Sequence, residues 1–137
     1  EHELVVVDEP GPAFVLPANE TEWSFDLTHT WEDARPFHAV TVGGHMHQLG
    51  SALQMNRTGP AGTDCMLDST PWDFRRQVFV TFDEPVVYRQ GDEYGWRCTW
   101  DNSATNPLQY NSPPQDIPSG LDTHQEMCSA ATFGWLE

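Results

Sequence analysis

Short apolar or alternating runs, bounded by Gly, Pro, Asn and Asp, recur roughly every ten residues along the chain, and helical periodicity is hard to find. The pattern predicts strands over Leu4 to Val7, Ala13 to Leu16, Trp23 to Leu27, Phe37 to Val42, Ala52 to Met55, Val78 to Phe82, Val86 to Tyr88, Tyr94 to Trp100 and Ala130 to Leu136. So many short strands predict an all-β fold, an antiparallel β-sandwich or jelly roll. Strand alternation puts Tyr94, Trp96, Cys98 and Trp100 on one face, directed inward. The odd positions of Trp23 to Leu27 and the even positions of Val78 to Phe82 are expected to be the buried ones, as suits sheets with one solvated face. Asp101 to Gly120, rich in Asn, Pro and Ser, is expected to be a long surface loop. With no repeat and no linker, residues 1–137 are expected to form a single domain.

Composition narrows the picture. A chain of 137 residues can bury a sizeable core, and although only 38% is apolar, seven Phe, six Trp and three Tyr supply large areas per residue. Twenty-one acidic against 6 basic residues give a net charge of -15. A nucleic-acid partner is not expected, because a phosphate backbone needs clustered cations and only Arg75 and Arg76 adjoin. The acidity is read chiefly as a solvated surface. No run of 18 or more apolar residues occurs, so no membrane span is expected. The chain starts at Glu1, and any leader or upstream domain is expected to have been removed or to lie outside it. Asn19-Glu20-Thr21 and Asn56-Arg57-Thr58 match a glycan acceptor pattern that arises often by chance.

The chemistry concentrates in Gly43-Gly44-His45-Met46-His47-Gln48-Leu49-Gly50. On a strand, His45 and His47 point to one side with Cβ atoms about 6.5 to 7 Å apart, and Met46 points to the other. Two imidazoles can then converge on one ion, although the pair alone suits copper and zinc alike, and surface histidines on an edge strand have the same spacing. A candidate third donor lies in Thr123-His124-Gln125-Glu126-Met127-Cys128. A thioether beside two imidazoles favours Cu(I), whereas core packing is the commoner fate of a methionine.

Four ordered segments carry a resemblance. They are His45-Met46-His47-Gln48-Leu49-Gly50; Pro71-Trp72-Asp73-Phe74 followed by Gln77; Arg97-Cys98-Thr99-Trp100-Asp101-Asn102-Ser103; and Glu126-Met127-Cys128. From about Phe14 to Trp135 the chain resembles the C-terminal catalytic domain of the copper type II ascorbate-dependent monooxygenases, the family of peptidylglycine α-hydroxylating monooxygenase and dopamine β-monooxygenase. The resemblance implies one copper held by His45, His47 and Met127 with a position open to solvent or dioxygen, and a disulfide between Cys98 and Cys128. Such a bridge is worth about 3.5 to 4 kcal/mol in the chain-entropy model and calls for an oxidising compartment, so a secreted or periplasmic address is expected. Cys65 is then expected to be a free, buried thiol, with an intermolecular bridge or a bond to a missing segment as the alternatives. His124 is read chiefly as a solvated loop histidine, with a group behind the ligands or an extra ligand as the alternatives. His2, His29 and His38 show no pairing pattern, and Trp72 and Asp73 are expected to serve packing and turn geometry.

The chain departs from the family in two ways. No cluster of three histidines remains for the family's second, electron-transferring copper, and the family's substrate-clamping Arg, Tyr and Asn find no place in the matched segments, so peptide amidation is not expected. Two functions follow. One is an oxygen-activating copper domain that hydroxylates an aliphatic C–H bond of an unknown small molecule or peptide, with electrons from ascorbate, a donor domain or another protein. The other is a non-catalytic copper-binding or carrier module with the same ligands.

Overall fold

The computed structural model describes residues 3–137, so His2 lies outside the described residues. The ten strands are β1 (Glu3–Pro10), β2 (Val15–Leu16), β3 (Trp23–Thr30), β4 (Phe37–Met46), β5 (Gly50–Gly59), β6 (Gly62–Ser69), β7 (Phe79–Tyr88), β8 (Glu93–Trp100), β9 (Ile117–Pro118) and β10 (Cys128–Leu136). Two four-stranded antiparallel sheets, β1-β10-β4-β7 and β3-β8-β5-β6, pack as a sandwich, and β2 pairs with β9 at one end. The all-β sandwich read from the sequence is the observed architecture.

Alternation accounts for most of what is buried. Trp96, Cys98 and Trp100 of β8 face inward and are buried, while Arg97 between them is exposed. Trp23, Phe25 and Leu27 are half-buried in β3, as are Val80 and Phe82 in β7. Phe37, Val42 and Met46 from one sheet meet Leu53, Trp96 and Trp100 from the other in a single core. Each such side chain contributes about 1.5–3 kcal/mol when fully buried. At one end the rings of Phe14, Trp23, Phe25 and Trp100 form a cluster with centroid distances from 5.0 to 5.6 Å.

One irregularity decides which way the histidines face. In β4, Phe37 and Ala39 are buried, so odd-numbered residues point inward at its start. Against β10 the register then slips, Ala39 pairing with Gly134 and Thr41 with Phe133, which leaves Val40 as an extra residue. A bulge of one residue reverses the phase of everything beyond it. Val42 and Met46 are therefore the buried positions, and His45 emerges on the outer side.

The structure also revises several expectations. Val78 to Phe82 and Val86 to Tyr88 belong to one strand, β7, whose pairing with β4 jumps from Val86 to Thr81 across Asp83-Glu84-Pro85; Val78 itself lies outside it and is exposed. β6 and β9 were not anticipated. Cys65 is free but exposed rather than buried, because it stands on the edge strand β6 with its side chain outward, while the next residue, Met66, takes the inward position. The stretch from Asp101 to Gly120 is largely irregular yet anchored. Asn102 is fully buried, and its amide nitrogen donates to the carbonyls of Pro17 and Gln115 at 2.9 Å while its oxygen accepts from Gln109 at 2.8 Å.

Candidate metal centre

His45 is the penultimate residue of β4, and His47 follows the strand at the turn into β5. Met46 between them is fully buried, so the alternation that anchors the methionine turns both imidazoles to the same outer side. Their ring centroids stand 5.0 Å apart at 80°. The Phe74 ring sits beside both, 6.5 Å from His45 and 6.0 Å from His47.

Each imidazole is held by its Nδ1. His45 Nδ1 lies 2.8 Å from Gln77 Oε1, and Gln77 Nε2 donates to the Phe74 carbonyl at 3.3 Å, which turns the amide oxygen toward the ring. His47 Nδ1 lies 2.8 Å from the carbonyl oxygen of Gln125. Both partners are acceptors, so each Nδ1 carries a proton, and in the neutral ring Nε2 is the nitrogen that holds a lone pair. Metal-ligating histidines are commonly oriented by this kind of bond.

His47 is fixed on every side. Only 4% of it is exposed, its N–H donates to Glu126 Oε2 at 3.2 Å, and its carbonyl accepts from Trp72 Nε1 at 3.2 Å. Gly50 makes the last contact feasible, since a Cβ there would stand 2.8 Å from Trp72 Cδ1. Glu126 is fully buried and also accepts from Leu49 N–H at 2.8 Å and Trp100 Nε1 at 2.9 Å. Burial pushes its carboxyl above the usual range, opposed by the N–H groups of Leu49, Trp100, His47 and Met127. Glu126 thus ties the histidine turn and the indole of β8 to the segment that contains Met127.

The register places Met127 at the same end of the same sheet. Cys128 pairs with Met46 and Ser129 with His45, and Met127 and His47 each lie one residue beyond the paired strands at that end. Cys128 and Met46 are both buried inward, and Met127 is half-buried and lines a hollow with Gly11, Phe14, Leu121 and Ser129. The disulfide between Cys98 and Cys128, with Cα atoms 6.0 Å apart, joins β8 to β10 and so links the two sheets beside this residue.

The other histidines are dispersed. His124 is exposed, its ring 5.0 Å from Tyr110 and its Nδ1 3.6 Å from Asp122 Oδ1. His29 stacks on Tyr94 and Trp96, and His38 on Trp135. Among the described residues no three His, Cys, Asp or Glu side chains gather as a metal cluster. Trp72 packs as expected, and Asp73 shapes its turn by accepting from the Arg75 N–H at 3.0 Å. Gln77, Phe74, Gln125 and Glu126 received no role from sequence reasoning, although Phe74, Gln77 and Glu126 sit in segments that carry the resemblance.

No known family model matches this chain, and no curated protein matches it.

Proposed function

We propose that the chain is a copper-binding domain in which His45, His47 and Met127 hold one ion, and that it hydroxylates an aliphatic C–H bond when supplied with dioxygen and two electrons. The observation that carries this reading is the paired Nδ1 bonding of two imidazoles 5.0 Å apart, which leaves two Nε2 lone pairs directed away from their hydrogen-bond partners. Nitrogen donors of this kind suit several metals, and a thioether beside them selects copper and favours its reduced state. When bound, copper supplies one-electron chemistry with dioxygen, the step that C–H hydroxylation requires.

The chain's own residues have definable parts in that scheme. Gln77 and the Gln125 carbonyl orient the rings, Glu126 and Trp72 hold the His47 backbone, and Phe74 shields the pair. Overall, R–H, O2, two electrons and two protons give R–OH and water, so an external reductant is needed; ascorbate or a donor protein would serve. His29 and His38 are each stacked on aromatic rings away from one another, which favours an external donor over a second histidine site built from these residues. The same dispersal supports a carrier as the second reading, with copper bound but no turnover. The disulfide favours an extracytoplasmic, oxidising location for either.

Anaerobic titration with Cu(I) tests the site. The natural chain should bind one equivalent, and His45→Ala and Met127→Ala should each bind at least tenfold more weakly; equal affinity in all three removes the assignment. Ascorbate-driven oxygen uptake with a hydroxylated product then supports the enzyme, and tight binding without uptake supports the carrier.

A further inference from the structure

The loop from Asp101 to Gly120 holds the surroundings of His47 from two sides. Gln48, the residue after His47, donates from Nε2 to the Leu108 carbonyl at 2.7 Å. Further along the loop, the Tyr110 hydroxyl donates to the His124 carbonyl at 3.0 Å, and its ring meets the His124 ring edge-on with centroids 5.0 Å apart. The next residue, Gln125, supplies the carbonyl that lies 2.8 Å from His47 Nδ1. These contacts close a ring that runs from His47 through Gln48, Leu108, Tyr110, His124 and Gln125 back to the imidazole. A link of this kind transmits position only if it is stiff, and the loop is bonded to itself and to the core. Leu108 N–H donates to Asn106 Oδ1 at 2.9 Å, Gln109 N–H to the Asn106 carbonyl at 3.0 Å, and Gln109 Nε2 to Oδ1 of the fully buried Asn102 at 2.8 Å.

We propose that Tyr110 is a positioning residue for His47: the loop segment from Leu108 to Tyr110 is a strut that sets the histidine turn against the Gln125 carbonyl, and so sets the direction in which the ring presents Nε2. The inference deepens the reading of the site as a copper centre and rests on it for the consequence for metal binding, whereas the orientation of the ring is a property of the metal-free chain. The turn that carries Gln125 is shaped from within, by Gly120 N–H to the Glu126 carbonyl at 3.0 Å and Gln125 N–H to the Asp122 carbonyl at 2.8 Å. Its seat is fixed from outside. The Glu126 carboxylate holds one end of it to the N–H groups of His47 and Leu49, and Tyr110 holds the other end at His124. Burial, with the nearby carboxyls of Glu126 and Asp122, pushes the Tyr110 hydroxyl up to about 12, so it keeps its proton and remains a donor at neutral pH. His45 stands outside this ring of contacts, because its Nδ1 is held by Gln77 from another segment.

The test follows the Nδ1 protons of His45 and His47 by NMR of the nitrogen-15-labelled, metal-free chain, and Cu(I) affinity by competition with a chelator. In Tyr110→Phe, which keeps the ring and removes the hydroxyl, the His47 Nδ1 proton should exchange with water several-fold faster while that of His45 exchanges as in the natural chain. Cu(I) affinity should fall about fivefold, short of the 10- to 100-fold typical of a group bonded directly to a ligating histidine. Gln48→Leu should act in the same direction, and the double variant should lose no more than the larger single loss, since either change already breaks the strut. Gln48→Leu alone keeps the test decisive if Tyr110→Phe fails to fold. Unchanged His47 exchange, an equal change at His45, additive losses in the double variant, or unchanged Cu(I) affinity in both folded variants would overturn the proposal. Failure of the natural chain to bind Cu(I) defeats the copper reading and leaves the exchange rates to decide the strut, whereas intact Cu(I) binding with His47 exchange unmoved defeats the strut alone.

Discussion

The two sheets share one core and the same strand alternation, yet the hollows on their outer faces are lined differently. On the β3-β8-β5-β6 sheet, Asp26, Thr28, Thr58, Thr63 and Arg97 line a polar surface hollow, with Arg97 donating to both Asp26 oxygens at 2.7 Å. On the other sheet, Gly43, Ala131, Phe79 and Phe133 surround a histidine. A polar outer face is the ordinary product of alternation in a half-solvated sheet. The cleft beside His45 departs from that pattern, with the exposed Phe79 ring in its wall. The comparison teaches that the fold rule alone builds both faces; the Val40 bulge and the choice of side chains make one of them a candidate site.

The strongest way to break that difference is to remove Glu126, which joins the site-bearing sheet to Trp100 of the other. Glu126→Ala leaves the N–H groups of His47 and Leu49 and the Trp100 indole without their acceptor inside the protein. Buried donors left unpaired cost about 1–3 kcal/mol each, and loss of the group as a whole is expected to lower stability by about 3–5 kcal/mol. Urea unfolding of the metal-free variant measures this, and a loss below about 1 kcal/mol would mean that the two sheets are not coupled through this carboxylate.

The disulfide is the second joint between the sheets. Closing a loop across a separation of 30 residues, it should contribute about 3.5 to 4 kcal/mol, so a Cys98→Ser and Cys128→Ser double variant should unfold at correspondingly lower urea. A sharper outcome concerns the two faces. Cu(I) affinity should fall in this variant, because Met127 adjoins Cys128, while the Arg97 and Asp26 pairing on β8 and β3 should be unaffected, as nitrogen-15 chemical shifts of the Arg97 side chain can show.

Much of this was legible in the chain and some was not, for physical reasons. Alternation identified the inward faces of β3 and β8 because those strands are regular. It missed β6 because the apolar Met66 and Leu67 are adjacent there, at a register slip between Met55 and Asn56 of β5, so no period of two is visible. It divided β7 because Asp83-Glu84-Pro85 breaks the hydrophobic pattern while the backbone continues. It placed Cys65 inside on the general habits of cysteine, whereas the edge position of β6 decides its exposure. His45 and His47 announce themselves by spacing. Gln77, Gln125 and Glu126 do not, because their role is a contact made across at least 32 residues, and an isolated Gln or Glu carries no local signature of one.

Gln77 offers a smaller and more selective perturbation of the site-bearing face. Gln77→Ala frees His45 Nδ1 from its acceptor without touching His47. Groups that orient a metal-binding histidine are typically worth 10- to 100-fold in affinity, and about tenfold weaker Cu(I) binding is expected here with stability nearly unchanged. Competition with a Cu(I) chelator reads the affinity, and a melt of the same sample reads the stability. If both move together, Gln77 braces the sheet rather than the ring.

The smallest effect is expected on the polar face. Arg97 and Asp26 are each about half exposed, with side-chain exposures of 52% and 57%, and an exposed pair contributes about 0.2–1 kcal/mol even when its geometry is good. Arg97→Ala should therefore cost no more than that and leave Cu(I) affinity unchanged. The pH dependence has a definite sign. The hydrogen bond from Arg97 holds the Asp26 carboxyl below its ordinary value of 3.8 in the folded chain, so the folded state binds the proton less readily than the unfolded one. The contribution of the pair is then complete above that value and lost as the pH falls through the lower folded one. Natural and Arg97→Ala chains should differ in urea midpoint at neutral pH and converge in acid. A difference that grows in acid, or a change in Cu(I) binding, would show that the two faces are linked in a way their separate chemistry does not predict.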